Sequence, residues 1–129
     1  MRFQALPFLA TVLALPYLAF GEPTCYSGDV WKDEAARSKA VHAIDKWCNN
    51  LAPSTWEPGM ERTQCLEVDY SPHNVNLWMN NGNSGDAVLK IDQCKKLLKR
   101  IVDNCPGGGY DHTKDGWKPK ATTNYWCMV

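Results

Sequence analysis

The sequence lacks an excess of either charge, because 14 lysines and arginines balance 14 aspartates and glutamates over its 129 residues. A neutral surface offers no general attraction to a polyanion, so the composition argues against nucleic acid and anionic membranes as partners. Internal repeats, low-complexity tails and N-x-S/T sequons are absent as well. The chain is therefore predicted to be neither a repeat array nor a carrier of N-linked glycans.

Long apolar runs are equally scarce, since only one occurs, from Ala5 to Phe20 after the single charge of Arg2. A membrane anchor is one interpretation of this run, but it contains prolines and is shorter than the ~20 residues that a spanning helix needs. Small residues up to Gly21 suit signal peptidase, so the pattern predicts a signal peptide over residues 1–21. A single domain over residues 22–129, secreted to the extracellular space and without a membrane span, is expected to remain.

Phenylalanine is missing from that predicted mature domain, because all three phenylalanines precede Gly21, whereas all six tryptophans follow it. Tryptophan and tyrosine carry a polar group on an apolar ring, and they are favoured where one edge is dry and the other wet. Binding surfaces are such places. Most of the tryptophans are nevertheless expected to fill a small core.

Closely paired cysteines are also absent, and no C-x-x-C motif occurs. The histidines are scattered, so neither a metal site nor any other cofactor is predicted. An even number of cysteines in a short secreted chain instead predicts a disulfide framework. The sequence does not choose among the pairings, and our hypothesis joins Cys25 with Cys127, Cys48 with Cys105, and Cys65 with Cys94. The predicted disulfide cysteines are Cys25, Cys48, Cys65, Cys94, Cys105 and Cys127.

Two segments have helical periodicity. The stretch "DEAARSKAVHAIDKWC", residues 33–48, places small and apolar residues on one stripe, with Asp33 as a plausible N-cap. The second helix has the clearest pattern in the chain, with apolar residues spaced three and four apart. Asp92 can cap it, and an earlier start at Ser84 is the alternative. Its stripe is formed by Ile91, Cys94, Leu98, Ile101 and Cys105.

The other face of the second helix is cationic, with Lys95, Lys96, Lys99 and Arg100. These charges could form an anion-binding patch or simply a solvated helix face. Because they lie opposite the apolar stripe, the pattern favours the solvated face.

Alternating residues predict strands at "QCLEVDY" (64–70), at residues 74–80 and within "AVLKI". The segment "TTNYWCMV" (122–129) is rich in β-forming residues and is predicted to be the final strand. Residues 49–63 and 106–120 are rich in proline and glycine and are predicted to be loops, the second flexible and exposed. The strands are apolar on one side only, and two amphipathic helices can cover one face of a small sheet. We therefore predict an α+β fold, a two-layer αβ sandwich with a small antiparallel sheet, two helices on one face and three disulfides.

One strand raises a question of function, because Trp78 shares its side with asparagines rather than with Val75, Leu77 and Met79. That side should lie on the open face of the sheet, unless the loop at 49–63 or the one at 106–121 covers it. An indole framed by amides suits the apolar faces and hydroxyl rims of sugars. The predicted ligand-binding residues are Asn74, Asn76, Trp78 and Asn80, with Tyr110 and Trp117 from the last loop.

The order of motifs resembles the small secreted fungal cysteine-rich proteins of the glycan-binding type first defined by a mushroom lectin. The resemblance lies in "CYSGDVW", a helix ending in Cys48, "CLEVDY", "VNLWMNNGNSG", "CKKLLKRIVDNCPGGG", "GW" at 116–117 and a late cysteine. More distantly, the sequence resembles the killer-toxin-like αβ-sandwich family. Both resemblances imply a disulfide-held αβ sandwich with a carbohydrate-binding or effector role. The segment "YDHTKDGWKPKATTNYW" departs from the glycan-binding pattern, so no site residue is transferred from it.

Catalysis has weak support in the sequence. Glu67 and Asp69 share one side of a predicted strand, but glycosidase carboxylates must flank the scissile bond rather than neighbour each other. His73 and His112, the candidates for a ribonuclease pair, lie in predicted turns. The prediction is a secreted, non-catalytic, lectin-like protein whose partner is a glycan or glycoprotein. The alternative is a secreted effector or killer-toxin-like protein that acts on a host protein or channel.

Overall fold

A computed structural model describes residues 22–66, 74–124 and 127. The elements in chain order are β1 (Thr24–Cys25), a short 3-10 helix (Val30–Lys32), α1 (Glu34–Leu51), β2 (Ser54–Trp56), β3 (Glu61–Leu66), β4 (Asn74–Asn81), β5 (Ala87–Leu89), α2 (Ile91–Asn104), β6 (Gly109–Tyr110) and β7 (Trp117–Asn124).

The strands form two antiparallel sheets. The larger has five strands in the order β1-β6-β7-β4-β3, and β2 pairs with β5 in a separate two-stranded sheet. The α1 and α2 helices pack together, and their apolar residues join those of β4 and β7 in one core. The predicted α+β sandwich is confirmed, with its helices on one layer and the five-stranded sheet on the other.

The first helix forms as its sequence predicts. The Asp33 side chain caps it by accepting a hydrogen bond from the backbone N–H of Ala36 at 3.2 Å. Ala40, Ala43, Ile44, Trp47 and Cys48 form its buried stripe. The helix extends to Leu51, past its predicted end at Cys48, and stops at Ala52 because a residue before proline disfavours the helical conformation.

The second helix is also confirmed, and its buried residues are Cys94, Leu98, Ile101 and Val102. Lys90, rather than Asp92, occupies its N-cap position. The backbone N–H of Lys90 donates to the Gln93 side chain at 3.4 Å. A side chain of the first turn therefore provides the hydrogen-bond acceptor for the backbone N–H at the N-cap position.

The alternation in β4 is the strongest sequence prediction of a strand, and the structure bears it out. Val75, Leu77 and Met79 are buried on the helix side, at most 2% exposed. This strand lies between β3 and β7, and it forms the longest ladder of the sheet with β7.

Two loop predictions are wrong. Residues 49–63 contain the end of α1, the whole of β2 and the start of β3, which begins at Glu61 rather than at residue 64. Residues 106–120 contain β6 and half of β7, an interior strand of the sheet. Turn residues suggested a loop there, yet Pro119 is accommodated because its carbonyl accepts from Asp111 N–H on the side of the short β6. Its missing N–H therefore leaves the ladder with β4 unbroken.

The hypothesised disulfide pairing is wrong at every bridge. The observed bridges join Cys25 with Cys105, Cys48 with Cys94, and Cys65 with Cys127. Topology explains them: β1 pairs with β6 just after Cys105, and the last turn of α1 lies beside the first turn of α2. The three-bridge framework itself is confirmed.

Several predictions concern residues outside the described ranges, namely the signal peptide at 1–21, the segment 67–73 and most of 125–129. Within residues 22–66, 74–124 and 127, no helix is long and apolar enough to cross a membrane. In the same ranges, no cluster of histidine, cysteine, aspartate or glutamate could hold a metal ion.

Candidate functional site

The face of the five-stranded sheet that points away from the helices is called the outer face. Directly paired residues of antiparallel strands project on the same side. The strand register therefore sets one row of side chains across the outer face, running Thr24, Tyr110, Lys120, Trp78 and Thr63.

Trp78 lies in this row between Lys120 and Thr63 and is partly exposed. Each of the other tryptophans in the described ranges is buried, at 1 to 7% exposure: Trp31, Trp47, Trp56 and Trp117. The ammonium of Lys120, its neighbour on β7, lies 4.5 Å from the centroid of the indole ring. This cation–π contact holds the ring beside a hydrogen-bond donor, so one apolar surface and one positive charge meet at the same point.

A second row borders Trp78 and consists of Glu61, Asn80 and Lys118, one from each of three neighbouring strands. The Asn80 amide nitrogen donates to the Gly59 carbonyl at 3.2 Å, which leaves its side-chain oxygen available as an acceptor. Glu61 and Lys118 are exposed. This row offers an amide, a carboxylate and an ammonium along one edge of the indole.

Aromatic surface continues on the far side of Lys120. Tyr110 is 44% exposed and its ring centroid lies 5.9 Å from that of Tyr26, which is 39% exposed. Since Tyr110 and Trp78 are both paired with Lys120, they are two strand spacings apart, roughly 10 Å. The outer face therefore presents two aromatic patches with a lysine between them.

The opposite end of the outer face is closed. Asn76, predicted to frame Trp78 as an exposed amide, is 6% exposed, and its side-chain nitrogen has no hydrogen-bond partner among the described residues. Its partner in β3 is Cys65, so the Cys65–Cys127 bridge occupies the space beside it. Asn74 lies further along the same end and is partly buried. The accessible part of the outer face thus extends from Trp78 towards Asn80 and Tyr110.

Trp117 does not belong to this surface. It is 2% exposed, and its register with Asn81 places it on the helix side of the sheet. Its ring meets that of Trp56 edge to face, with centroids 5.5 Å apart. The expectation that Trp117 contacts a ligand is corrected, because the segment that carries it is a strand of the core.

The sequence does not indicate several residues that the structure brings to Trp78 and Tyr110. Among them are Tyr26, Thr63, Lys118 and Lys120. Alternation within β7, from Lys118 to Lys120 to Thr122, could have indicated its polar side. Only the strand register, which no pattern within one segment reveals, shows that Lys120 meets Trp78.

Of the residues considered for catalysis, His112 is the one that lies in the described ranges. His112 is exposed, and its backbone N–H donates to the Asp111 side chain at 2.8 Å. Glu67, Asp69 and His73 lie outside the described residues. What the outer face provides is a platform of aromatic rings, amides and charged groups.

The family described as Glycan binding domain Y3 matches residues 39–124, more than half of the chain. The chain belongs to this glycan-binding family. The matched span of the Y3 family includes most of α1, the whole of α2 and the strands that carry Trp78, Asn80, Tyr110 and Lys120. A comparison with curated proteins finds no match.

Proposed function

We propose that this Y3-family chain is a secreted, non-catalytic lectin that holds a glycan on its outer face, against Trp78. The observation that carries the proposal is the position of this indole. It is the partly exposed tryptophan of the described ranges, while the others lie in the core. Burying an indole is favourable, so a partly exposed one on an open sheet indicates a surface kept for a ligand.

The neighbours of Trp78 match the chemistry of a sugar. The C–H face of a pyranose can stack on the exposed part of the indole, while its hydroxyls meet Asn80, Thr63 and Lys120 at the rim. An amide both donates and accepts, a hydroxyl does the same, and an ammonium donates. A neutral saccharide therefore needs neither a metal nor a charge of its own to be held.

The span from Trp78 to Tyr110 extends the proposal beyond one sugar ring. Two aromatic patches about 10 Å apart, at two strand spacings, suit an oligosaccharide that crosses the strands. Lys120 lies between them and can donate to the linkage or to hydroxyls on either side. The proposed ligand-contacting set is Trp78, Asn80, Tyr110 and Lys120.

Substitution of Trp78 by alanine tests the proposal. We expect binding on a glycan array, and in titrations with the best array sugar, to weaken by about 5- to 30-fold, because an aromatic stack contributes about 1–2 kcal/mol. The Trp78→Phe variant should retain part of the affinity, since a smaller ring remains. Circular dichroism should show the same fold in both variants.

The matched control is His42→Ala, which removes an exposed ring from α1, on the helix layer. Its affinity should equal that of the wild type. Equal affinity of Trp78→Ala and the wild type would contradict the outer-face site. If the array shows no binding while a host protein is captured, the effector alternative replaces the lectin proposal.

Secretion is the second part of the proposal, supported by the apolar N-terminal run and by three disulfides, which persist in oxidising compartments. When the full chain is expressed in a secreting eukaryotic host, the protein in the medium should begin at Glu22. N-terminal sequencing and intact mass measure this. Recovery of the uncleaved chain in the membrane fraction would instead support a membrane anchor.

A further inference from the structure

A groove of about 680 Å³ lies away from the outer face, between α2 and the segment that joins β6 to β7. It shares no residue with the proposed sugar platform. Its volume falls within the range of small-molecule sites, roughly 300–1,000 Å³. The residues that line it are Val88, Lys90, Asp92, Gln93, Lys96, Leu97, Arg100, Thr113, Lys114 and Asp115.

We propose that this groove is a second ligand site, which takes the acidic group of a sugar, either a carboxylate or a sulfate ester. Cations outnumber anions there by four to three, since Lys90, Lys96, Arg100 and Lys114 meet two carboxylates of the lining and the Asp111 carboxylate that pairs with Arg100. One of these, Asp115, is engaged within the wall, since it accepts from the Gln93 amide at 3.0 Å and from the Thr113 hydroxyl. The potential in the groove is therefore positive.

The cations of α2 divide between two sides of the helix. Lys95 and Lys99 approach Asp45 on α1, at 3.9 and 2.7 Å. Lys96 turns to the groove and is exposed, and it forms no ion pair with a described carboxylate. The sequence favours a solvated helix face, and that interpretation fits the side of α2 that carries Lys95 and Lys99. The side that carries Lys96 lines the groove instead.

Two apolar side chains line the groove. Val88 is 52% exposed on β5, a high value for a valine, and Leu97 is partly buried beside it. Their methyl groups can contact the C–H face of a sugar, while the surrounding ammonium groups bind its acidic substituent. Arg100, held at 3.4 Å by Asp111, supplies a fixed cation at one end of the groove.

An acidic sugar fits better than an acidic peptide. Asp92 lies in the lining among the cations, where it can accept hydrogen bonds from sugar hydroxyls. A second carboxylate from an acidic peptide would be repelled at the same position. A sugar that carries one acid and several hydroxyls satisfies both kinds of group.

Amide chemical shifts of the ¹⁵N-labelled domain test this site. Titration with glucuronate and with glucose 6-sulfate should shift the signals of Lys90–Leu97 and Thr113–Asp115. Glucose, the neutral counterpart, should bind there at least about tenfold more weakly, because it lacks the charge that the lysines attract. The response should also weaken as salt rises.

The Lys96→Gln variant should bind both acidic sugars about 5- to 10-fold more weakly, whereas Lys32→Gln, an equal charge change at an exposed residue of the 3-10 helix, should not. The two acidic sugars separate a carboxylate preference from a sulfate preference, and either preference supports the site. Equal effects of the two variants, equal binding of glucose, or shifts confined to the outer face would overturn the proposal. So would equal binding of N-acetylglutamate amide, which would mark a site for acidic peptides. The Trp78→Ala variant should show the same chemical-shift changes with the acidic sugars as the wild type. The proposal of the groove and the proposal of the outer-face site are therefore tested separately.

Discussion

Replacing Asn81 by aspartate is expected to destabilise the domain by about 3–5 kcal/mol, although the two side chains have nearly the same shape. Asn81 ends β4 and is fully buried. Its amide nitrogen donates to the carbonyls of Trp56, Glu57 and Gly85, at 3.0, 3.2 and 3.1 Å. A carboxylate has no hydrogens to donate and would place a negative charge against three carbonyl oxygens.

The loss should spread beyond Asn81 because its oxygen continues the network. That oxygen accepts from the backbone and side-chain nitrogens of Asn83, both at 3.0 Å. The Asn83 side chain also donates to the Asp115 carbonyl at 2.8 Å. One buried amide thus joins the turn after β2, the turn after β4 and the segment before β7.

Urea denaturation followed by circular dichroism measures the effect, with Asn80→Asp as the matched control. Asn80 is the preceding residue and is partly exposed, and its side chain donates one hydrogen bond, to the Gly59 carbonyl. We expect Asn80→Asp to lower the free energy of unfolding by about 1 kcal/mol or less. At about pH 4 the deficit of Asn81→Asp should narrow, because burial raises the pKa of the new carboxyl and its protonated form can donate. Similar stabilities of the two variants at neutral pH would show that the network contributes little.

The helices and β4 could be predicted because their information is local. The stripe from Cys94 to Ile101 and the alternation from Val75 to Met79 each lie within one element, and each shows which side is buried. The outward position of Trp78 followed from the same alternation. In the folded domain, the side of each element that its pattern predicts to be buried is the side that packs against the core.

The loop prediction for residues 106–120 is wrong in part because Gly109 serves close packing between strands rather than flexibility. A Cβ on Gly109 would lie 2.3 Å from the Thr24 carbonyl oxygen and 3.1 Å from the Cys105 sulfur. Only glycine lets β1 approach β6 this closely. A glycine that permits strand pairing cannot be told from a loop glycine in the sequence. The sequence therefore does not predict β6 or the start of β7.

The site was predictable only in part for the same reason. Alternation placed Trp78 and Asn80 outward, but the partners across the sheet depend on register between distant segments. Lys120 therefore could not be found, and Trp117 was assigned to a surface that it does not reach. The disulfide pairing also depends on topology, because Cys48 and Cys94 meet only once α1 and α2 pack together.

Removing the Cys48–Cys94 bridge is the second change with a large expected effect. The Cys48→Ala/Cys94→Ala double variant should lose about 4 kcal/mol or more of stability. The bridge spans 46 residues, and closing a loop of that length restricts the unfolded chain by about 4 kcal/mol in the entropy model. Both cysteines are fully buried between α1 and α2, so truncating them also removes packing contacts from the core.

The Cys65→Ala/Cys127→Ala double variant is the control that separates these two contributions. Its bridge spans 62 residues, so the entropy model predicts a similar loss, about 4 kcal/mol. Both cysteines are only partly buried, however, so little core packing is lost with them. In urea denaturation without reductant, the Cys48/Cys94 variant should therefore unfold at the lower midpoint. Equal midpoints would mean that the stabilisation by the Cys48–Cys94 bridge comes from cross-linking alone. A lower midpoint for the Cys65/Cys127 variant would instead show that the bridge beside Asn76 contributes more stability than the one between the helices.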